Sequence, residues 1–241
     1  MIIAGEINRI EDWYYKAGPK DKDSQWKDDY SAKEFAKLWF TKSEDLKVPN
    51  EIRELVERNF GKFDVLFAFP EHVTKLDGFS GGHRNHDMFS FCKKQNGEDF
   101  VICIEAKVAE PLDMTIGEKI KSVEKKDSSK IPLRIKGMQN MLNMENKNID
   151  NLRYQLFTGT VGTINECKKY NNIDGLFLIL QIMPKRNENE KISSNLSDIK
   201  SFLNENNAET LYEDEKSLLS KIHSKEQNIN MYLGYLRIKE A

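Results

Sequence analysis

Residues 86–108 read HDMFSFCKKQNGEDFVICIEAKV, two apolar runs about an Asn-Gly dipeptide. Asp87 opens the first run, and Glu105 and Lys107 interrupt the end of the second. Charge inside an apolar strand costs several kcal/mol per group unless it is paired or coordinated. Two arrangements answer that cost. Lys107 can bridge the acids as a structural ion pair, or the two carboxylates can hold a hard divalent cation with the lysine beside it. Mg2+ takes one or two protein carboxylates, keeps waters, and uses substrate phosphate for the rest. A neighbouring lysine then orients or deprotonates an attacking water while the ion stabilises charge on the phosphate.

Spacing decides whether the three groups meet. Asn96-Gly97 is a strong hairpin signal, so the two runs fold back on each other and Asp87 faces a residue near 106, or 107 with a longer loop. Alternation puts Glu105 and Lys107 on one face of their strand. An acid-x-Lys pattern by itself says little: it begins seven times, at Asp45, Glu105, Glu124, Glu145, Glu166, Asp198 and Asp214. Only the match at Glu105 interrupts an apolar strand and has an acid delivered across a hairpin.

The elements that must position these groups are legible on both sides. Ser31 to Glu34 reads as a capping box, followed by helix-spaced Phe35, Ala36 and Trp39. PNEIRELVERNFG is a second helix capped by Asn50 and stopped by Gly61, and FDVLFAFP is a buried strand ended by Pro70. LDGFSGGHRNH is a loop, and the hairpin strands span about 87–94 and 100–107. Helices are expected near 115–125 and 132–144, then from Asp150 to about 170. GLFLILQIM is a buried strand; charged helices near 195–205 and 209–222 and a closing strand NMYLGYLRI follow. Without the first helix and the 115–144 insertion, residues of about 50–183 run helix, strand, strand, strand, helix, strand, an α/β layer fold with a sheet covered by helices, in a single domain.

The chain has 241 residues, 39% hydrophobic and 32% charged, with a net charge of −2, so any polyanion must be held by a local basic surface. Residues 119–136 supply one, with Lys119, Lys121, Lys125, Lys126, Lys130, Arg134 and Lys136 against Glu124 and Asp127. Cys92, Cys103 and Cys167 lack metal-ligand spacing and read as buried free thiols of a reducing compartment. The first residues carry charge too early for a signal peptide, and no run approaches the roughly 18 to 20 apolar residues of a membrane span. A cytoplasmic protein with no membrane partner is the expectation.

Asp87, the intervening hairpin and Glu105-Ala106-Lys107 resemble the PD-(D/E)XK nuclease superfamily, in an uncharacterised bacterial branch echoed also by SGGHRNHDMF and LRYQL. The likeness covers roughly residues 25 to 183, with His86 where the motif often has proline. It implies a restriction-endonuclease-like αβββαβ core, a mixed sheet flanked by helices, with an N-terminal helix, a helical insertion and a C-terminal extension packed on it. It implies Asp87, Glu105 and the Ala106 carbonyl as ligands of Mg2+ or Mn2+, and Lys107 as the water-positioning or catalytic lysine. Gln155 matches an active-site glutamine on the following helix, and Arg153 beside it is a candidate phosphate contact. Glu34, Glu54 and Glu57 are candidates for an extra acid on a preceding helix. In the polar cluster before Asp87, His83, Arg84 and His86 are candidate substrate contacts; the set does not spread over a ββα unit as an HNH motif does, and Ser80-Gly81-Gly82 lacks the spacing of a P-loop.

The implied activity is metal-dependent hydrolysis of nucleic acid, DNA before RNA, in restriction, phage defence or repair, with a homodimer suiting paired cleavage of a duplex. Two other readings stand beside it: a binding protein on the same fold without catalysis, and hydrolysis of a small phosphorylated molecule.

Overall fold

The structure, a computed structural model, describes residues 2–3, 7–19, 21–40, 47–108, 110–183 and 189–239. One eight-stranded mixed sheet runs through the chain in the order β1-β2-β3-β4-β5-β8-β7-β6. Its strands are β1 (Ile2–Ile3), β2 (Phe63–Thr74), β3 (Arg84–Lys94), β4 (Asp99–Lys107), β5 (Asp174–Met183), β6 (Glu209–Glu213), β7 (Ser217–Ile222) and β8 (Met231–Lys239). The helices are α1 (Ile10–Ala17), α2 (Lys22–Gln25), α3 (Ser31–Trp39), α4 (Asn50–Phe60), α5 (Ile116–Lys121), α6 (Ile131–Met141), α7 (Tyr154–Lys169) and α8 (Asn189–Glu205). The order α4, β2, β3, β4, α7, β5 is the expected one, with α5 and α6 inserted. Among the described residues no helix is long and apolar enough to cross a membrane.

Alternation along the central strands divides the helices between two faces. Ile102, Ile104, Leu178 and Leu180 meet Trp39, Ile52 and Val56 of α3 and α4 in one core. Val101, Cys103, Phe177 and Ile179 meet Leu156, Phe157, Ile164 and Phe202 of α7 and α8 in the other. Glu105, two residues on from Cys103, therefore belongs to the α7 face. The three cysteines are buried and unpaired, and burial pushes the Cys103 thiol up to about 12.

Several local expectations are corrected. β2 does not stop at Pro70 but continues to Thr74, with Pro70 opposite Met88 and the pairs His72–His86 and Thr74–Arg84 carrying the β2–β3 ladder onward. Residues 209–222 form a β-hairpin rather than a helix; β7 is paired on both sides, and Asp214 fastens the turn by accepting from the Lys216 and Ser217 amides. Pairing with β8 overrides a charged, Leu-rich sequence that reads locally as helix. The capping box at Ser31 does not form: Glu34 is buried, accepts from the Asp29 amide at 3.1 Å and pairs with Lys37 at 2.7 Å. Asn50 is the first residue of α4 and not its cap. In the hairpin Met88 stands opposite Ile104 and Cys92 opposite Phe100, so continuing that register brings Asp87 level with Glu105 rather than 106 or 107.

A second buried acid ties α7 to β2. Glu166 accepts from Thr74 Oγ1 and from Lys169 Nζ at 2.6 Å, while His72 Nε2 approaches at 3.1 Å outside hydrogen-bond geometry. Burial raises this carboxyl, but His72, Lys169 and Thr74 outweigh it and hold it at about 2, below the ordinary 4.5. A depressed folded-state value stabilises the fold above 4.5, and that contribution is lost as pH falls toward 2. Glu166→Gln should cost roughly 1.5–3 kcal/mol at neutral pH, the worth of bonds to a buried carboxylate, and the gap to wild type should shrink by pH 3. Urea unfolding at the two pH values measures this, and a gap that stays constant contradicts it.

Candidate active site

The hairpin brings the three charged groups to the same end of β3 and β4, and α7 adds an amide. Lys107 Nζ donates to Glu105 Oε1 at 2.6 Å, confirming that the two share a face of β4. Gln155, in the first turn of α7, donates through Nε2 to the same oxygen, while its own carbonyl oxygen accepts from the Asp113 amide at 3.3 Å. Arg84 reaches the other oxygen, Oε2, through Nη2. Asp87 Oδ2 accepts from the Ala106 amide at 2.6 Å. Because N–H and C=O of a strand residue point to the same side, the Ala106 carbonyl is directed toward the Asp87 side of β4.

These groups border a cleft of about 380 Å3 lined by Asp87, Glu105, Gln155, Arg84, His83 and Lys119, among others. Lys107 is not in that lining; its ammonium lies behind Glu105, 9% exposed. A larger groove of about 810 Å3 lies between α5, α6 and residues 145–150, lined by aliphatic residues such as Ile116, Ile120 and Leu133 together with polar ones such as Lys136, Glu145 and Asp150, and none of Asp87, Glu105 and Gln155 borders it.

The electrostatics separate the two carboxyls. Burial pushes Glu105 up, but Arg84 and then Lys107 outweigh it and hold the group below its ordinary range. Burial would lower Lys107, yet Glu105 and Asp87 keep it above its ordinary value, so the lysine is protonated in this arrangement. Asp87 has neither Arg84 nor Lys107 bonded to it. Burial and the charge of Glu105 push it well above the usual carboxylate range. It is the acid in the cleft that an added cation would relieve most.

The donor set suits a hard dication: two carboxylates on one cleft and a backbone carbonyl, all oxygen, with room for waters and phosphate. Among the described residues no three His, Cys, Asp or Glu side chains gather in a way that could hold an ion by themselves.

Several of the sequence candidates lie elsewhere. His86 is fully buried, lies edge-on to Phe177 at 6.0 Å, and would collide with a side chain at Gly162 of α7. It lacks hydrogen-bond partners at both ring nitrogens, and burial followed by the charge of Arg84 depresses it far below its ordinary value. It backs Arg84 and does not face the cleft. Arg153 also leaves the site: Nε donates to Asp198 Oδ2 of α8 at 2.8 Å and Nη1 to the Asp113 carbonyl at 3.3 Å. Arg134 of the basic segment turns inward, binding Asp77 at 2.6 Å and the Gly81 carbonyl at 2.9 Å. Gly82, at φ 63, leaves room for that guanidinium. None of Glu34, Glu54 and Glu57 lines the cleft; Glu34 holds Lys37 and Glu57 holds Arg53.

The residue that sequence reasoning misses is Glu71. It sits between the pairs Pro70–Met88 and His72–His86, level with Asp87, and its backbone is left-handed at φ 51. Its half-buried carboxyl accepts from Asn85 Nδ2; burial raises it against that bond, and the charge of Glu105 raises it further. A glutamate within FDVLFAFPEHVT is the one signal of it in the sequence.

The end of β4 is braced from two sides. Gln181 of β5 donates to the Lys107 carbonyl at 3.2 Å and to that of Val108, and Asn195 of α8 donates to Gln181 Oε1 at 2.9 Å. Asn195 also accepts from the Leu112 amide at 2.9 Å. Comparison with curated proteins and with solved structures gives no match. Residues 6–240 match the family described as Domain of unknown function (DUF6946), and the chain belongs to that family.

Proposed function

We propose that the protein is a metal-dependent phosphodiesterase acting on nucleic acid, with DNA as the first substrate to test. The observation that carries the reading is the convergence of Lys107, Gln155 and Arg84 on Glu105, beside an Asp87 carboxyl that has no cation of its own. Asp87, Glu105, Lys107 and Gln155 are the residue types that the PD-(D/E)XK resemblance implies, and Arg84 adds to them.

Asp87, Glu105 and the Ala106 carbonyl would hold Mg2+ or Mn2+, which when bound supplies Lewis-acid stabilisation of charge on the phosphate and lowers the pKa of water. Gln155 and Lys107 fix one oxygen of Glu105, so the carboxylate presents a set direction to the cleft. Lys107, protonated here, serves as a donor that orients an incoming water or phosphate oxygen. Arg84 and His83 are placed to meet substrate phosphate at the cleft.

The second reading is a binding protein on the same fold that does not catalyse. The Arg84 guanidinium on Glu105 favours it, since that contact satisfies the buried acid without an ion. Purified protein with Mg2+ or Mn2+ should nick a supercoiled plasmid, and Lys107→Ala should lose nicking while still binding Mn2+ in a titration. Wild type that binds no Mn2+ and nicks no DNA removes the catalytic reading and leaves the second.

A further inference from the structure

The lysines of the inserted segment are distributed about the cleft in a way the hydrolase reading does not require. The chain leaves the cleft at Lys119 and returns to it at Ile131, both of which line it. Between them it carries Lys121, Lys125, Lys126 and Lys130, all exposed. Among the described residues none of these makes an ion pair, whereas Lys33 and Lys37 of α3, Lys168 and Lys169 of α7, and Lys200 of α8 are each held by an acid. The acids of the segment do not neutralise it. Glu118 is spent on the capping box with Thr115, leaving Glu124 and Asp127 against five lysines. Lys119 itself lies over the Tyr154 ring at 5.1 Å, so part of the cleft wall is a cation stacked on an aromatic.

We propose that residues 119–131 form a lip over which one strand of a polynucleotide enters the cleft, so that the preferred substrate is single-stranded or has a frayed end. The proposal rests on the hydrolase reading for the identity of the polymer and adds its strandedness and its path. The depth of the site carries the first part. Glu105 is 4% exposed and Lys107 9%, so a phosphate must be inserted to reach them. A strand free of its complement can insert its backbone into a cleft of about 380 Å3 more readily than a continuous duplex can. The unpaired lysines carry the second part, because a row of solvated ammonium groups beside a stacked ring is the combination that tracks a single-stranded backbone through charge and stacking. With a net charge of −2 the attraction has to come from such a local surface.

The test is fluorescence anisotropy in EDTA, which removes cleavage from the measurement, using a labelled oligothymidylate, an oligouridylate and a duplex of equal length at several salt concentrations. Wild type should bind the single strands more tightly than the duplex, and the two homopolymers separate deoxyribose from ribose. The triple variant Lys121→Ala, Lys125→Ala, Lys126→Ala should flatten the slope of log affinity against log salt by about 2, because each phosphate neutralised on a single strand adds about 0.7 to it. Lys33→Ala, Lys168→Ala, Lys200→Ala should leave the slope unchanged. Single strands bound by the lip variant with the wild-type slope, or a duplex bound more tightly than either strand, overturn the lip and leave the hydrolase standing. Wild type that binds no polynucleotide in EDTA also overturns the lip, and plasmid nicking with Mg2+ or Mn2+ then decides the hydrolase reading by itself.

Discussion

Asp87→Asn should abolish metal-dependent cleavage and, in EDTA, raise the melting temperature. The activity loss follows from removing one of two carboxylates available to a dication; several kcal/mol of charge stabilisation correspond to a fall of roughly a hundredfold to a thousandfold or more. The stability gain follows from the Asp87 carboxyl itself. Its folded-state value is raised well above 3.8 by burial and then by Glu105, so ionisation is less favourable folded than unfolded. The penalty is absent below pH 3.8, grows as pH rises through the interval up to the raised value, and is constant beyond it. Asparagine keeps an oxygen to accept from the Ala106 amide and removes the charge. Variant and wild type should therefore melt together near the acid limit and diverge toward neutrality, with the variant higher. Added Mg2+ should raise wild type alone. A variant that melts below wild type at pH 7, or that still nicks DNA, would falsify this account of Asp87.

The largest effect on stability is expected at Gly159. A Cβ there would lie 2.0 Å from the Phe177 ring, so α7 approaches β5 only because position 159 has no side chain. Gly159→Val should cost about 3 kcal/mol or more through overpacking, with a β-branched residue in mid-helix adding to the loss. Phe177 lies 5.7 Å from the Arg84 guanidinium and 6.0 Å from the His86 ring, so displacement of its ring also disturbs the group on Glu105. Gly137 of α6 is the control: nothing lies within 4 Å of its added Cβ, and Gly137→Ala should stabilise by about 0.5–1 kcal/mol through helix propensity. Chemical denaturation of both variants decides the matter, and a Gly159→Val protein as stable as wild type would mean that the α7–β5 contact is not closely packed.

The hairpin and its charges are legible in the sequence because two periodicities and one turn fix them. Asn96-Gly97 sets which strands meet, and alternation sets which side chains share a face, so Glu105, Lys107 and Asp87 follow from short-range rules. Gln155 follows only through the resemblance, since nothing local says which face of α7 meets Glu105. His86 departs from expectation because the Glu71–Asp87 position interrupts the β2–β3 ladder, and the side chains of Arg84 and His86 then turn toward α7 against simple alternation. A left-handed glutamate carries no signature of its own, which hides Glu71. Residues 209–222 differ for a non-local reason: strand pairing with β8, many residues later, outweighs a sequence that suits a helix.

The position of β8 bears on how the protein can be divided. Gly175 to Met183 of β5 pair with β8 along their whole length, although the αβββαβ order is already complete at Met183. Leu176 to Ile182 are all buried, and the strand has no edge lysine, proline or bulge to discourage a neighbour. A fragment cut after β5 would hold every residue of the candidate site and still present a long, flat, apolar strand to the next copy. The final hairpin and strand are thus a cap against self-association, and the site is inseparable from the segment that keeps its sheet from polymerising.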